Sequence, residues 1–290
     1  MSRCELSIVL PSKNESVALR VLLPRLYQTY PSAEIIVVDD GSTDDTRAVC
    51  EASKVRVLTH PYSKGNGAAI KTGARHASGE IIVFMDADGQ HDPADIHKLL
   101  HKIDEGYDLV VGARKRSSQA SAARWMANSF YNRFASRFVG QPVADLTSGF
   151  RACRAALFRE FLHMLPNGFS YPTTSTMAFF RAGYSVGYVP INVNKRPEGS
   201  TSHIRLLHDG ARFLLIIFRV GTLYSPLKLF IPISAFFFAS GLSYYAYTFV
   251  VAGRFTNGSA LLLITSVLVF LIGLVSEQIT QLLYASRSDS

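Results

Sequence analysis

The chain has 290 residues, of which 48% are hydrophobic and 18% charged, whereas soluble domains carry about 25% charged residues. This composition excludes a disordered chain and a coiled coil, and it argues against a nucleic-acid-binding tail. The formal net charge of +8 predicts an anionic partner, such as a nucleic acid, a phosphorylated substrate or a lipid headgroup.

The first two hundred residues alternate short apolar runs with helical stretches, which is typical of an α/β fold with a mostly parallel, Rossmann-like sheet. The predicted strands are Leu6–Leu10, Glu34–Val38, Val55–Thr59, Ile81–Met85, Leu109–Val111 and a later one near Ser185–Ile191. The predicted helices are Glu15–Tyr30, Thr43–Ala52, Gly67–Ala77, Pro93–Glu105 and Ser121–Val139. Residues 1–203 are therefore predicted to form one domain, which ends in the basic loop Asn194–His203.

The cysteines and the first residues of the chain indicate the cellular compartment in which the protein is expected. Cys4, Cys50 and Cys153 are far apart and fit neither a disulfide framework nor a zinc site, so reduced thiols in the cytosol are expected. Arg3 and Glu5 lead directly into a strand-like run, and we therefore expect no signal peptide.

Two long apolar stretches free of charged residues follow the α/β region, one between Lys228 and Arg254 and one between Arg254 and Glu277. Each is longer than the roughly 20 apolar residues that cross about 30 Å of hydrocarbon. We predict a hairpin of two membrane-spanning helices within residues 226–285, at about 229–251 and 259–280. Glu277 and Gln278 are expected to form an interface pair or a contact between the two helices, with a role in lipid binding as the alternative.

Positive residues flank the predicted hairpin on both sides, with only Arg254 in the connection. Positive flanks favour the cytoplasm, so we expect an integral protein of the cytoplasmic (inner) membrane with its α/β domain and both termini in the cytoplasm. Residues 204–225 mix Leu, Phe and Ile with spaced arginines, which favours an amphipathic helix at the headgroup level, with an ordinary soluble helix as the alternative.

Polar clusters follow three of the predicted strands: Pro11–Glu15, Asp39–Asp44 and Asp86–His91. Ligands bind at the carboxyl ends of the strands in an α/β sheet, so the three clusters predict one shared crevice. Helix caps such as Ser42 or Thr43 account for single polar residues. They do not account for two pairs of carboxylates at neighbouring strand ends.

The pair Asp86 and Asp88 predicts a cation site. Two carboxylates repel each other unless a cation or a proton lies between them, and both side chains can aim at one point as the chain leaves the strand. Together with a diphosphate, two such oxygen donors make a site for Mg²⁺ or Mn²⁺. Gln90 can add a carbonyl oxygen.

The segments PSKNE, VVDDGSTD, KGNGAAIKTGARHASGE and MDADGQHDP, in this order and spacing, resemble those of the family-two glycosyltransferases, whose catalytic domain has the GT-A fold. The resemblance extends to VVGAR, DLTSGFR and RPEGSTSH. With the two-span tail, the chain is similar to the polyprenyl-phosphate glycosyltransferases, the group that contains dolichol-phosphate mannose synthase. The resemblance implies sugar transfer from a UDP- or GDP-linked donor to a polyprenyl phosphate of the undecaprenyl or dolichyl type, with inversion at the anomeric carbon.

The same resemblance implies roles for individual residues. It places Asp86, Asp88 and Gln90 on the metal and the diphosphate, with Ala87 in the same nucleotide-binding set. Which of the two aspartates after the second strand contacts the base stays open at this point. The residues implied at the nucleoside are Pro11, Asn14, Glu15, Asp39, Asp40 and Gly65, with Asn66 and Gly67 completing the turn beside the ribose.

Arginines are implied at the phosphates, because the planar guanidinium holds phosphate oxygens bidentately. Arg114 follows a strand and Arg196 lies in the basic loop, and with Asp88 they form the set that we expect to be catalytic. Arg124 and Asn128 lie one helical turn apart and so share a helix face. The residues expected at the acceptor phosphate are Arg124, Asn128 and Ser148.

Some residues depart from the family pattern or stay outside it. His203 stands where the family's basic loop usually has a lysine, and hydroxyl residues at 169–177 stand where relatives often carry an acid. His203 is nevertheless kept in the donor-binding set. Lys71 is expected to be a helix-surface charge, and Asp145 to have a positioning role.

Three other functions compete with this reading. A processive polysaccharide synthase with a hydroxyl acceptor should carry a Gln-x-x-Arg-Trp motif and more spans, and Gln119 and Arg124 have the wrong spacing for it. A membrane-anchored scaffold that binds nucleotide sugar without turnover would not need both aspartates of the metal motif. A nucleic-acid binder would not need the hairpin, and no nucleic-acid partner is expected. The oligomeric state is open, and a homo-oligomer is possible.

Overall fold

The structure is a computed structural model that describes residues 5–53, 55–114, 122–168, 170–193, 218, 221–222 and 225–285, with the backbone alone at 122–128 and 283–285. The chain divides into two compact units, residues 1–213 and 214–290. Most of the amphipathic helix predicted for 204–225 lies outside the described residues.

The first unit contains one seven-stranded sheet. Its strands are β1 (Leu6–Ser12), β2 (Glu34–Asp39), β3 (Arg56–Thr59), β4 (Ile81–Phe84), β5 (Leu109–Arg114), β6 (Arg151–Arg154) and β7 (Val186–Ile191). They lie in the order β3-β2-β1-β4-β6-β5-β7. All neighbours run parallel except β6, which is antiparallel to both β4 and β5.

Within the described residues, seven helices accompany this sheet and two form a hairpin in the second unit. Those of the first unit are α1 (Ser16–Thr29), α2 (Thr46–Ala52), α3 (Asn66–His76), α4 (Ile96–Asp104), α5 (Ala122–Val139), α6 (Ala155–Glu160) and α7 (Tyr171–Arg181). A 3₁₀ turn, Pro93–Asp95, leads into α4. Those of the second unit are α8 (Pro226–Ala252) and α9 (Asn257–Ala285).

The predicted fold class is confirmed, with one strand missed. Each of the six predicted strands corresponds to a strand of the sheet. The seventh, β6, reads Arg-Ala-Cys-Arg, and four residues with a charge at each end show neither an apolar run nor an alternation. It forms because β4 and β5 offer hydrogen-bonding edges on both sides, an arrangement that the local sequence does not encode.

Burial explains why the central strands read as continuous apolar runs. Ser7 to Leu10 of β1 are fully buried, as in parallel strands covered by helices on both faces. Ile8 and Leu10 pack with leucines of α1, whereas Val9 faces α3 so closely that a Cβ on Gly73 would overlap with it. The register pairs Ser12 with Asp39, so the strand ends lie side by side and their loops meet at one edge.

The second unit is a helical hairpin whose helices are, by length and composition, suited to crossing a membrane. Most of their large apolar side chains are exposed in the hairpin itself. Ser234 and Ser266 each donate a hydroxyl hydrogen bond of 3.0 Å to the other's carbonyl oxygen. Bonds between buried polar groups of this kind join helices in hydrocarbon, where water is not available.

Glu277 of α9 caps the beginning of α8. Its Oε2 accepts hydrogen bonds from the Leu227 amide at 3.2 Å and from the Ser225 hydroxyl at 3.3 Å. Leu227 lies in the first turn of α8, where the amides have no partner within the helix, and a carboxylate there also complements the positive end of the helix dipole. The expected contact between the two helices is confirmed, and its physical basis is a helix cap supplied from the neighbouring helix.

Replacing Glu277 should therefore weaken the hairpin. Glu277→Leu removes the acceptor, which costs about 1 kcal/mol and lowers the thermal midpoint of the detergent-purified protein by about 2–4 °C. Glu277→Gln is the matched control, because its amide oxygen still accepts the Leu227 N–H. Fluorescence-detected size-exclusion chromatography after heating measures both midpoints, and equal values for the two variants would mean that the cap contributes nothing.

Candidate active site

A cavity of about 420 Å³ opens at the carboxyl ends of β1 and β4. All three strand-end clusters contribute to it, together with the beginning of α3. Its lining residues are Pro11, Ser12, Lys13, Glu15, Asp40, Ser63, Gly65, Asn66, Ala69, Asp86, Ala87 and Asp88. Eight of the residues predicted at the nucleotide line this cavity, namely Pro11, Glu15, Asp40, Gly65, Asn66, Asp86, Ala87 and Asp88.

Asp40 is the structural centre of one wall. Its Oδ1 accepts hydrogen bonds from His60 Nδ1 at 2.7 Å and from the Lys64 amide at 2.8 Å. Its Oδ2 accepts from the Ser63 hydroxyl at 2.8 Å and from the Gly65 amide at 2.9 Å. Burial raises the pKa of the carboxyl, but these bonds outweigh burial and hold the pKa below its usual value. Because the lone pairs are taken, Asp40 shapes the cavity through the turn it fixes.

Asp39, its neighbour at the end of β2, is 2% exposed and does not line the cavity. Its Oδ1 accepts a hydrogen bond of 2.9 Å from the Ser42 amide. Asp39 therefore accepts fewer hydrogen bonds than Asp40 within the described part of the chain, and it precedes the lining residue Asp40 by one position.

Asn14 ties two loops together and does not line the cavity. Its backbone has a φ of +56°, its Oδ1 accepts a hydrogen bond of 2.8 Å from the Thr43 amide, and its own amide donates to Ser42 Oγ at 2.9 Å. The next residue continues the brace, since the Glu15 amide donates to Thr46 Oγ1. Asn14, predicted at the nucleoside, thus holds the β1–α1 loop against the β2–α2 loop.

The turn before α3 has room only for glycine. Gly65 has a φ of +101°, and a Cβ there would lie 2.6 Å from the Asn167 carbonyl oxygen. A Cβ on Gly67 would overlap with the Pro166 carbonyl oxygen. Lys71 of the same helix donates to the Leu165 carbonyl at 3.2 Å and to Asn167 Oδ1. Lys71, expected to be a helix-surface charge and not a ligand, does not line the cavity, and its contacts brace α3 against this segment.

Asp86 and Asp88 both line the cavity, but in different surroundings. Asp88 is 6% exposed and its Oδ1 accepts a hydrogen bond of 3.1 Å from the Gln90 amide. The Asp86 side chain is 39% exposed, with its Oδ2 3.8 Å from His91 Nε2. Gln90, predicted as a metal ligand, does not line the cavity. Its backbone amide nevertheless orients Asp88.

The donor set fits a hard divalent cation in combination with a ligand. Within the described ranges, no group of three or more His, Cys, Asp or Glu side chains is arranged to hold a metal ion. Asp86 and Asp88 offer carboxylate oxygens to one cavity, and Mg²⁺ typically binds through one or two carboxylates plus phosphate oxygens and water. The two aspartates would therefore hold the ion jointly with a bound diphosphate.

Arg114 is held by Asp145 in a bidentate ion pair. Its Nε lies 2.8 Å from Oδ2 and one terminal nitrogen 2.9 Å from Oδ1, and the same nitrogen donates to Thr147 Oγ1 at 2.6 Å. Burial lowers the pKa of Arg114 and raises that of Asp145, but the ion pair outweighs both effects and keeps the two groups charged. Arg114 does not line the cavity, although the charge of Asp86 is close enough to contribute to its pKa shift.

The remaining predicted residues are placed less completely. Ser148 is 2% exposed, and its hydroxyl has no hydrogen-bond partner in the part of the chain that the structure describes. Arg124 and Asn128 lie in α5 where the backbone alone is described. Arg196 and His203 lie outside the described residues.

Sequence reasoning missed several lining residues, among them Ser12, Lys13, Ser63 and Ala69. Ser12 and Lys13 stand inside the quoted PSKNE motif, so the motif itself was the available signal. Ser63 and Ala69 flank the glycine turn. Their position in the cavity follows from how α3 packs on the sheet, which no local pattern reports.

Two family models match the chain. The model described as glycosyl transferase family 2 matches residues 7–162, and the model described as GtrB C-terminal hairpin matches residues 225–282. The first covers the sheet up to β6 together with the cavity, and the second covers α8 and α9. One match therefore lies in each of the two units of the structure.

Curated relatives match between about half and most of the chain. The chain is 28% identical to glycosyltransferase AglJ of Haloferax volcanii, over 84% of this chain and 82% of the relative. It is 29% identical to the polyprenol monophosphomannose synthase of Mycolicibacterium smegmatis, over 68% of this chain and 82% of that protein. It is 34% identical to an undecaprenyl-phosphate 4-deoxy-4-formamido-L-arabinose transferase of Klebsiella pneumoniae, over 55% and 51%.

Solved structures support the fold. Glucosyl-3-phosphoglycerate synthase of Mycobacterium tuberculosis, in complex with Mn²⁺, uridine diphosphate and phosphoglyceric acid, superposes with a TM-score of 0.60. It is 23% identical, and the alignment covers 75% of this chain and 77% of that one. At this identity the likeness concerns the fold alone.

Asp40 should be needed for the wall of the cavity. Asp40→Asn places an amide NH₂ against donors that need an acceptor, which we expect to cost about 2 kcal/mol or more and to abolish binding of nucleoside diphosphate. Asp45→Asn is the matched control, since the Asp45 side chain is 79% exposed. Thermal unfolding and calorimetric titration with UDP and GDP measure the two effects. An Asp40→Asn protein as stable as the control would contradict the role of the wall.

The ion pair of Asp145 should make stability depend on pH. Its folded-state pKa lies below the usual value, which is about 3.9 in unfolded chains. The pair therefore stabilises the fold above that value, and this contribution is lost as the pH falls through the folded-state pKa. We expect the thermal midpoint of the wild type to exceed that of Asp145→Asn most at pH 6–7, and the difference to narrow below about pH 4. A difference independent of pH would refute this origin.

Proposed function

The chain belongs to glycosyl transferase family 2, and from this premise we propose that it transfers a sugar from a nucleotide-diphosphate sugar to a polyprenyl phosphate. The observation that carries the proposal is one cavity holding Asp86 and Asp88 at a strand end, in a chain that also carries a hairpin of two helices suited to a membrane. A sugar transferase acting on a soluble acceptor would not need the hairpin.

The names of the relatives support the acceptor. One relative is a polyprenol monophosphomannose synthase and another an undecaprenyl-phosphate sugar transferase, and the hairpin matches a family model of its own. The acceptor proposed here is accordingly a polyprenyl phosphate of the undecaprenyl or dolichyl type. The positive flanks of the hairpin favour an orientation in which the hairpin lies in the inner membrane and the α/β domain lies in the cytoplasm.

The cavity is the proposed donor site. Pro11, Glu15 and the turn at Gly65 surround the nucleoside, and Asp40 supports that turn with both of its carboxylate oxygens. Asp86 and Asp88 would hold Mg²⁺ or Mn²⁺ jointly with the diphosphate. When bound, such an ion stabilises the negative charge that develops on the departing diphosphate.

Arginines assist the same departure. Arg114 is kept charged and oriented by Asp145, and Arg196 of the basic loop is proposed to close over the diphosphate, with His203 beside it. The acceptor phosphate is assigned to Arg124, Asn128 and Ser148. The arginines among these residues offset the repulsion between the two phosphate-bearing substrates, which is about 1–4 kcal/mol per charge pair at contact range.

The acceptor needs no general base. A phosphomonoester has a second pKa of about 6, so at pH 7 it is largely a dianion and already a nucleophile. Its oxygen forms the new bond to the anomeric carbon while the bond from that carbon to the diphosphate oxygen breaks, which inverts the anomeric centre. Asp145 is therefore proposed to position Arg114, in agreement with the bidentate pair, and not to accept a proton.

A donor panel tests the function directly. Detergent-purified full-length protein is incubated with polyprenyl phosphate, Mn²⁺ and a set of UDP- and GDP-linked sugars, and the lipid extract is examined by mass spectrometry. We expect one glycosylated polyprenyl phosphate, formed only when divalent cation is present. Nucleotide-sugar binding without any lipid product across the panel would instead support a scaffold without turnover.

Asp88 should be required for turnover. Asp88→Asn removes one negative ligand while keeping the size of the side chain, and we expect the transfer rate to fall at least about 10²-fold in a protein that stays folded and in the membrane. Asp104→Asn, on the exposed face of α4, is the control. Near wild-type turnover in the Asp88 variant would refute the metal assignment.

A further inference from the structure

Arg151, at the beginning of β6, carries a charge that is completely buried. Its side chain is 0% exposed, and in the described part of the chain no carboxylate lies within ion-pair distance of it. It donates instead to neutral oxygens: the Pro172 carbonyl at 3.0 Å, Ser175 Oγ at 2.7 Å and the Ser148 carbonyl. Burial lowers its pKa. Because a buried cation without a counter-ion is costly, its position calls for a reason.

Tyr171 extends the same arrangement. Its ring, 1% exposed, lies 5.5 Å from the Arg151 guanidinium, and its hydroxyl donates a hydrogen bond of 3.0 Å to the Gly149 carbonyl oxygen. Arg151 and Tyr171 therefore hold two successive carbonyls, those of Ser148 and Gly149. The backbone of this segment is fixed from behind by two side chains that cannot move without opening the core.

The front of the segment lies against Asp86. A Cβ on Gly149 would be 2.9 Å from Asp86 Oδ2, closer than real Cβ contacts, and 3.1 Å from Oδ1, which is tighter than most of them. The following residue, Phe150, stacks on His91 with ring centroids 4.9 Å apart, and His91 Nε2 lies 3.8 Å from the same Oδ2. The carboxylate of Asp86 is thus bounded by a backbone wall on one side and an imidazole on the other.

We propose that Gly149 is a positioning residue, whose backbone is held by the buried Arg151–Tyr171 pair and sets the direction in which Asp86 faces the cavity. The inference rests on the proposed function, in which Asp86 binds the cation together with Asp88. It accounts for the buried Arg151, because the guanidinium fixes the backbone segment against which the Asp86 carboxylate packs. It also explains the hydroxyls of α7. They accept hydrogen bonds from the guanidinium but, being neutral, do not attract it away from the Ser148 carbonyl as a carboxylate would.

Gly149→Ala separates this role from folding. The added methyl meets the mobile end of the Asp86 side chain, so the carboxylate can turn away with little cost to the core. We expect Mn²⁺ affinity, measured on the full-length protein by electron paramagnetic resonance titration with UDP or GDP present, to fall about 10–100-fold. The thermal midpoint without metal should stay within about 2 °C of the wild type.

Two further variants complete the test. Gly168→Ala is the matched control, because a Cβ there meets no atom within 4 Å, and it should bind Mn²⁺ like the wild type. Tyr171→Phe keeps the ring but removes the bond to the Gly149 carbonyl. It should weaken Mn²⁺ binding in the same direction as Gly149→Ala, by a smaller factor.

The outcomes distinguish this inference from the proposed function. Wild-type Mn²⁺ affinity in both Gly149→Ala and Tyr171→Phe overturns the positioning role, even if the wild-type protein glycosylates polyprenyl phosphate. Weakened Mn²⁺ binding in both variants, in a protein that transfers no sugar to lipid phosphate, supports the positioning role and overturns the function. Should Gly149→Ala lose stability, Tyr171→Phe alone decides.

Discussion

Repulsion between negative charges governs the design of the candidate site. Asp86 and Asp88 face one cavity with Glu15 and Asp40, and the proposed reaction adds a diphosphate and a lipid phosphate. Such a collection is stable only if each carboxylate has either a cation or a set of hydrogen-bond donors. Asp40 has four donors from its own chain and Asp145 has Arg114. Asp86 and Asp88, the two aspartates of the motif that follows β4, line the same cavity and are the ones assigned to the cation.

This division explains why motif residues differ in what they do. The polar groups of Asn14, Asp40 and Lys71 form hydrogen bonds that join loops. These residues therefore define the shape of the cavity and do not bind the ligand themselves. Gly65 contributes by having no side chain, because the Asn167 carbonyl occupies that space. A family pattern lists wall-building and ligand-binding residues side by side. Only the hydrogen-bond partners separate the two groups.

The sequence predicted the parts of the fold that depend on local pattern. Buried parallel strands such as β1 and β2 read as continuous apolar runs, and their parallel order brings the polar clusters to one edge. Strand β6 was not visible, because Arg151 and Arg154 mark its ends and its place depends on two edges supplied by distant segments. The support of Asp86 by Gly149 was equally hidden, since 63 positions separate the two residues and Tyr171 and Arg151 act through tertiary contacts.

Whereas the cavity gathers charged groups, the hairpin contains few polar groups and lies in a part of the chain suited to hydrocarbon. In hydrocarbon every polar group needs a partner within the protein, and Ser234, Ser266 and Glu277 find theirs across the α8–α9 interface. These three polar groups are therefore paired within the hairpin, and the exposed apolar side chains suit a lipid environment. In the proposed reaction this anchoring confines the enzyme to the surface that holds its acceptor, which raises the effective acceptor concentration without any additional contact. The groups proposed to stabilise the phosphates, namely the cation, the arginines and the hydrogen-bond donors, then all belong to the α/β unit.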